Sequence, residues 1–70
     1  MNREEVAKLE NYLRKLFDLQ TIEVRQRPNK DDSAEVYIGD EFIGIMFRDE
    51  DDGDLCYQFQ MAILEFDLQD

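Results

Sequence analysis

The fold is decided by residues 34–49, which read AEVYIGDEFIGIMFRD. Two runs rich in β-branched and aromatic residues, 34–38 and 41–49, stand on either side of Gly39-Asp40. A glycine beside an aspartate supplies the backbone conformations that a two-residue hairpin turn requires. The stretch therefore predicts two antiparallel strands joined by a tight hairpin.

The register of this hairpin stays open between two arrangements. With a two-residue loop, Val36 lies opposite Ile43 and Tyr37 lies opposite Phe42. A three-residue loop instead groups Val36 and Phe42 on one face. In either register large apolar residues lie on both faces of the strand pair, and strands of that character normally have both faces covered.

Upstream of the hairpin, the sequence predicts a helix and one further strand. Asn2 and Glu5 have the spacing of a capping box, in which each side chain accepts from the backbone N–H of the other residue. Apolar residues then recur at intervals of three and four, which predicts an amphipathic helix over residues 3–18. Its apolar stripe consists of Val6, Leu9, Leu13, Leu16 and Phe17. Alternation over residues 21–27, ended by Pro28, predicts the first strand.

Downstream of the hairpin, an acidic turn precedes a fourth strand over residues 55–68. The apolar positions of this run are odd-numbered as far as Ile63 and even-numbered from Leu64. Side chains alternate between the faces of a strand, so we expect a β-bulge or bend near Ala62 to Leu64. The chain then forms a single α+β domain, residues 1–70. One N-terminal amphipathic helix packs on a four-stranded antiparallel β-meander, in the order α-β-β-β-β.

The second face of this sheet predicts a partner, because one helix covers only one face. A core built from 70 residues rarely supplies more than about 3–5 kcal/mol of stability. One cysteine and no histidine exclude an internal disulfide and the usual zinc sites. We therefore expect a homodimer, with Tyr37, Phe42 and Met46 as candidate interface residues in the two-residue register. The alternative is that these side chains pack across the strands on an exposed surface.

The charge distribution restricts the partners further. The formal net charge is −10, and residues 40–70 carry ten acidic side chains against one basic. This field repels phosphate backbones and anionic lipids, so we expect no nucleic-acid and no membrane binding. A basic protein partner is compatible with it, and the candidate acidic docking surface consists of Asp49, Glu50, Asp51, Asp52 and Asp54. The alternative is that the acidity serves solubility.

The sequence predicts no catalytic, cofactor or metal site. Cys56 has no histidine to act as its base, and the three glycines form no phosphate-binding loop. The acidic run fails the EF-hand pattern because Arg48 and Phe59 would occupy positions one and twelve, although weak cation binding remains an alternative. Gly44 within a strand predicts a close backbone approach or a bulge. We therefore expect a non-enzymatic binding or structural module without a cofactor.

Four stretches of the sequence carry a family resemblance. They are residues 11–17 (NYLRKLF), 31–44 (DDSAEVYIGDEFIG), 49–54 (DEDDGD) and 61–64 (MAIL). Together they resemble a family of short uncharacterised proteins of alphaproteobacteria, labelled as a domain of unknown function. The resemblance implies a bacterial, cytoplasmic, stand-alone protein and transfers no catalytic or binding residue. The acidic N-terminus, which lacks the pattern of a signal peptide, also favours the cytoplasm.

Overall fold

A computed structural model describes residues 1–51 and 53–69 of the chain. It contains helix α1 (Arg3–Phe17), strands β1 (Ile22–Gln26), β2 (Ser33–Ile38), β3 (Glu41–Asp49) and β4 (Cys56–Gln60), and a 3₁₀ helix (Glu65–Leu68). The four strands form an antiparallel sheet in the order β1-β2-β3-β4. The predicted α+β fold, with an N-terminal helix on a four-stranded antiparallel meander, is confirmed.

Helix α1 begins at the predicted capping box. Asn2 Oδ1 accepts from the Glu5 N–H at 2.8 Å, and Glu5 Oε1 accepts from the Asn2 N–H at 3.2 Å. The helix ends at Phe17, one residue earlier than predicted, because Asp18 adopts a left-handed φ of 52° that closes the last turn. Within the described residues, no helix has the length and apolar character needed to cross a membrane.

The hairpin of β2 and β3 combines both predicted registers. Next to the turn, Tyr37 pairs with Phe42, as a two-residue loop requires. Beyond that pair the register shifts, and Val36 pairs with Gly44 as in the three-residue arrangement. The predicted pairing of Val36 with Ile43 is therefore wrong. Ile43 is instead the extra residue of a β-bulge in β3.

The bulge decides which side chains of β3 share a face. An extra residue reverses the alternation, so Phe42 lies on the same side of the sheet as Ile45 and Phe47. Met46 pairs with Ala34 and is 3% exposed. The prediction that Met46 lies on the second face is wrong, because the bulge turns its side chain into the core beneath the helix.

The core lies between helix α1 and the sheet. Its buried apolar residues are Met1, Leu13, Ile22, Val24, Ala34, Val36 and Met46. The helix packs chiefly against β1, at one edge of the sheet. Leu13 is therefore buried, whereas Leu16 and Phe17 of the predicted apolar stripe are exposed. On its helix side, the sheet keeps an open groove beside β3 and β4.

Strand β4 is much shorter than predicted, whereas β1 to β3 match their predicted bounds to within one residue at each end. The chain leaves the ladder after Gln60, and the parity change near Ala62 to Leu64 lies in the irregular segment that follows. The Gln60 carbonyl oxygen would lie 2.5 Å from a Cβ at Gly44. The predicted close backbone approach at Gly44 is confirmed.

Candidate interaction surfaces

On the sheet face opposite the helix, the half formed by β1 and β2 carries charged side chains. Arg25 lies at the centre of this charged cluster. The Arg25 guanidinium lies 3.8 Å from the centre of the Tyr37 ring and pairs with Glu23 at 2.6 Å. The Tyr37 hydroxyl donates to Glu35 Oε1 at 3.0 Å, and this bond is the main reason that the pKa of Tyr37 is raised. Tyr37, a predicted interface residue, is thus half-buried beside the charged cluster.

The other half of this face carries an apolar row, which we define as Phe42, Ile45 and Phe47. The Phe42 side chain is 50% exposed and meets the Tyr37 ring edge-on, with ring centres 5.6 Å apart. The row borders a shallow depression of about 230 Å³ that also includes Gln60. The cross-strand partners of Ile45 are Glu35 and Gln60, and an apolar centre with a polar rim is typical of protein interfaces. The structure thus keeps Phe42 on this face and adds Ile45 and Phe47. Sequence reasoning offered a bulge at Gly44 as one alternative but did not combine it with the two-residue turn, so these two residues were not among the candidate interface residues.

A second apolar surface is formed by residues 61–68, here called the 61–68 segment. Its large apolar side chains are between 47% and 78% exposed. They are Met61, Ile63, Leu64, Phe66 and Leu68. The segment starts beside the apolar row, since residues 61–63 share a depression with Phe42. Sequence reasoning assigned these residues to strand β4, and the change of parity near Leu64 was the signal that they leave it.

A third apolar surface is the groove between helix α1 and β4, here called the helix–β4 groove. It measures about 420 Å³. Its lining residues are Leu9, Tyr12, Leu13, Met46, Tyr57 and Phe59. The groove exists because the helix rests on β1, so the Tyr12 side chain extends over β3 and β4 and stays 60% exposed.

A polar cluster that the sequence did not predict joins the helix to β3 and β4. Arg48 Nη1 donates to both carboxylate oxygens of Glu5 at 3.0 Å, and the Tyr57 hydroxyl donates to Oε2 at 2.8 Å. The pKa of Glu5 is lowered, and the hydrogen bond from Tyr57 is the largest cause. Burial raises this pKa, but the Asn2 N–H and Arg48 lower it further. The same bond raises the pKa of Tyr57. A carboxylate held in this way binds a proton weakly and suits a structural role.

The acidic turn lies at the far end of β3 and β4. Asp49 is half-buried and accepts from the Asp51 N–H at 3.0 Å, whereas Glu50, Asp51 and Asp54 are exposed. Asp52, also predicted as part of the docking surface, lies outside the described residues. Across residues 1–51 and 53–69, no group of three or more histidine, cysteine or acidic side chains is arranged to hold a metal ion.

Comparison with known proteins connects the chain to a family. No curated protein and no solved structure shows significant similarity to it. A family model described as "Protein of unknown function (DUF3126)" matches residues 5–67. The match runs from the first turn of helix α1 into the 3₁₀ helix, and so includes the whole sheet, the apolar row, the helix–β4 groove and the 61–68 segment as far as Asp67. The chain therefore belongs to the DUF3126 family of proteins of unknown function.

Proposed function

We propose that this protein is a non-enzymatic binding module that self-associates through the sheet face opposite the helix. The observation that supports it is the apolar row of Phe42, Ile45 and Phe47, which lies on the face away from helix α1. Removing apolar surface from water contributes about 25 cal/mol per Å². A chain of 70 residues with a small core benefits from that contribution, so a second copy is a suitable cover for the row.

The arrangement of the polar groups supports a non-enzymatic role. The polar cluster that joins the helix to β3 and β4 combines a carboxylate, a guanidinium and a phenol, those of Glu5, Arg48 and Tyr57. Its carboxylate is occupied by hydrogen bonds and has a lowered pKa, whereas a general base works best with a pKa near the working pH. The sequence has no histidine to take that role instead.

The substitution Phe42→Arg tests the proposal. We expect light scattering to give the wild type a mass of twice the 8.4 kDa chain, and Phe42→Arg the mass of one chain. A guanidinium in an apolar contact loses water without gaining a partner, which opposes association. Circular dichroism should show the same fold, because Phe42 is half exposed in the single chain.

Phe17→Arg is the matched control. Phe17 is 54% exposed at the end of helix α1 and belongs to none of the three apolar surfaces. We expect this variant to keep the mass of the wild type. A wild-type chain that is monomeric at tens of micromolar contradicts the proposal.

We propose as a second function that the acidic turn docks a basic protein partner. Its support is the exposure of Glu50, Asp51 and Asp54 in the part of the chain, residues 40–70, that carries ten acidic groups against one basic. Such a contact weakens as salt shortens the Debye length to about 3 Å at 1 M, whereas an apolar dimer persists. Binding of a lysine-rich peptide should therefore fall with salt and in Asp51→Asn/Asp54→Asn. Equal binding by that variant and the wild type contradicts the second proposal.

A further inference from the structure

The 61–68 segment is an apolar stretch without a core of its own. Its five large apolar side chains are mostly in water, and its 3₁₀ helix is closed by a short-range bond from the Leu64 N–H to Asp67 Oδ2 at 3.1 Å. In a folded chain such a concentration of exposed apolar side chains marks a contact site. The segment therefore needs a surface to pack against.

The molecule is elongated rather than compact. The radius of gyration is 12.9 Å, compared with about 11 Å for a compact chain of this length. The longest dimension is 43 Å, against 24 and 23 Å for the other two. In this elongated molecule the large apolar side chains of the segment are 47–78% exposed, so they are accessible to a neighbouring molecule.

The start of the segment fixes its direction. A Cβ at Gly44 would lie 2.5 Å from the Gln60 carbonyl oxygen and 3.1 Å from Met61 Cβ, so the backbone here passes tightly over β3. From this point residues 61–63 run beside residues 41–43, at the end of the apolar row. Asp67, near the end of the segment, lines the same depression, so the row and the segment are adjacent parts of one surface.

The areas indicate that the row alone is too small for a stable dimer. A large aromatic side chain has roughly 150–250 Å² of surface, so the exposed parts of Phe42 and Phe47 amount to roughly 170 Å². A standard interface buries about 800 Å² on each partner. The exposed fractions in the 61–68 segment add roughly 650 Å², which brings the combined surface to the standard size.

We propose that the 61–68 segment of each chain packs over the apolar row of a second copy of the same chain. This inference rests on the proposed self-association and specifies how it is built. In a two-fold dimer each chain then gives one segment and receives one, so both unpartnered apolar surfaces are covered. Phe66 and Leu68, the most exposed apolar side chains of the segment, supply the main contacts with Phe42 and Phe47 of the other copy.

The test compares three variants that carry the same substitution at different places. Phe66→Arg changes the 61–68 segment, Phe42→Arg changes the apolar row, and Phe17→Arg changes the end of helix α1. We expect Phe66→Arg and Phe42→Arg each to raise the dimer dissociation constant at least tenfold in sedimentation equilibrium, while Phe17→Arg leaves it unchanged. Leu68→Arg should behave like Phe66→Arg. Because these side chains are exposed in the single chain, the variants should retain the wild-type circular dichroism.

The outcomes separate this inference from the proposed function. If Phe42→Arg dissociates the dimer while Phe66→Arg and Leu68→Arg remain dimeric, the role of the segment is overturned. The proposed dimer through the sheet face is then still supported. A monomeric wild type overturns both. Dissociation by Phe66→Arg and Tyr12→Arg but not by Phe42→Arg shows that the segment docks in the helix–β4 groove, and this also overturns the inference.

A pair of introduced cysteines tests whether the 61–68 segment packs on the second copy or on its own chain. Gln58 lies on β4 opposite Phe47, and Gln69 follows the segment. In a Cys56→Ser background, Gln58→Cys with Gln69→Cys should give, after mild oxidation, a disulfide-linked species of twice the chain mass. A disulfide within one chain, or the absence of any linkage, overturns the inference.

Discussion

Glu5 connects parts of the molecule that are far apart in the sequence. Its backbone and carboxylate complete the capping box with Asn2, and the same carboxylate holds Arg48 and Tyr57, which follow it by 43 and 52 residues. Hydrogen bonds to a charged group contribute about 1.5–3 kcal/mol each when the alternative is an unpaired partner. One side chain thus starts the helix and fastens it to β3 and β4.

Glu5→Gln should reduce the free energy of unfolding by about 1–2 kcal/mol at pH 7, because the amide keeps an acceptor for Tyr57 but loses the charge that attracts Arg48. The folded-state pKa of Glu5 is below its ordinary 4.5. The contribution is therefore present above pH 4.5 and is lost as the pH falls through the lowered pKa. Urea unfolding at pH 7 and at pH 3 should show the difference from wild type shrinking in acid.

Glu4→Gln is the control for this prediction. Glu4 lies on the same turn of the helix, but its carboxylate is 77% exposed and pairs with Lys8, at 3.3 Å. Exposed pairs contribute about 0–1 kcal/mol, so this variant should unfold nearly as the wild type does at both pH values. A difference for Glu5→Gln that stays constant between pH 7 and pH 3 contradicts the assigned role of the Glu5 charge.

Gly44→Ala should destabilise the protein by more than about 2 kcal/mol, because the new methyl group would overlap the Gln60 carbonyl and the Phe59 ring. Gly39→Ala is the comparison. It adds a methyl group that meets no atom of the described residues within 4 Å, and costs about 1 kcal/mol through its positive φ of 61°. Thermal unfolding of both variants checks the order, and an equal or smaller loss in Gly44→Ala is the contrary result.

At the scale of elements, helix α1 covers the outer edge of strand β1. Glu10 Oε1 accepts from the Val24 N–H at 3.0 Å, and Arg14 Nε donates to the Ile22 carbonyl at 2.8 Å. The two side chains also pair with each other at 3.6 Å. An unpaired strand edge is a template for aggregation, so these bonds protect the sheet as well as orient the helix.

Glu10→Ala/Arg14→Ala should expose this edge and lower the free energy of unfolding by about 1–3 kcal/mol, since two buried backbone groups lose their partners. Light scattering during incubation should also show faster aggregation than for the wild type. The matched control is Glu4→Ala/Lys8→Ala, which removes a pair of the same spacing on the exposed side of the helix. If the two double variants have similar stability and aggregate at similar rates, the proposal that Glu10 and Arg14 protect the edge of β1 is contradicted.

At the scale of the whole molecule, the chain is so small that its one helix cannot cover all of the apolar surface. Helix α1 buries the side of β1 and β2 that faces it, and the apolar row, the 61–68 segment and the helix–β4 groove stay accessible to water. Association that covers part of this surface stabilises the folded chain by mass action. The melting temperature then depends on the protein concentration.

We expect the melting temperature of the wild type to rise by several degrees over a roughly hundredfold increase in protein concentration, measured by calorimetry. Phe42→Arg should melt at a temperature that does not depend on concentration. Phe17→Arg, which alters the same residue type outside the apolar surfaces, should follow the wild type. A concentration-independent melting temperature in the wild type would be the opposing observation.

The sequence by itself determined the elements that depend on short-range chemistry. The capping box of Asn2 and Glu5 starts the helix, and Gly39-Asp40 makes the hairpin turn, because both act through backbone groups a few residues away. Hydrophobic periodicity then placed α1 and β1 to β3 close to their observed bounds. The α+β class and the order of the strands follow from these local features.

Only the tertiary structure decided which side chains face the core and which face water. The bulge at Ile43 sends Met46 inward and aligns Phe42 with Ile45 and Phe47, because one inserted residue reverses the alternation of a whole strand. Strand β4 ends at Gln60, whose carbonyl oxygen lies close to Gly44, and the 61–68 segment follows outside the ladder. The pairing that places the bulge depends on contacts between strands, which the spacing of apolar residues along one strand does not encode. The change of parity near Leu64 indicated that the chain departs from a regular strand there, but not that β4 ends at Gln60.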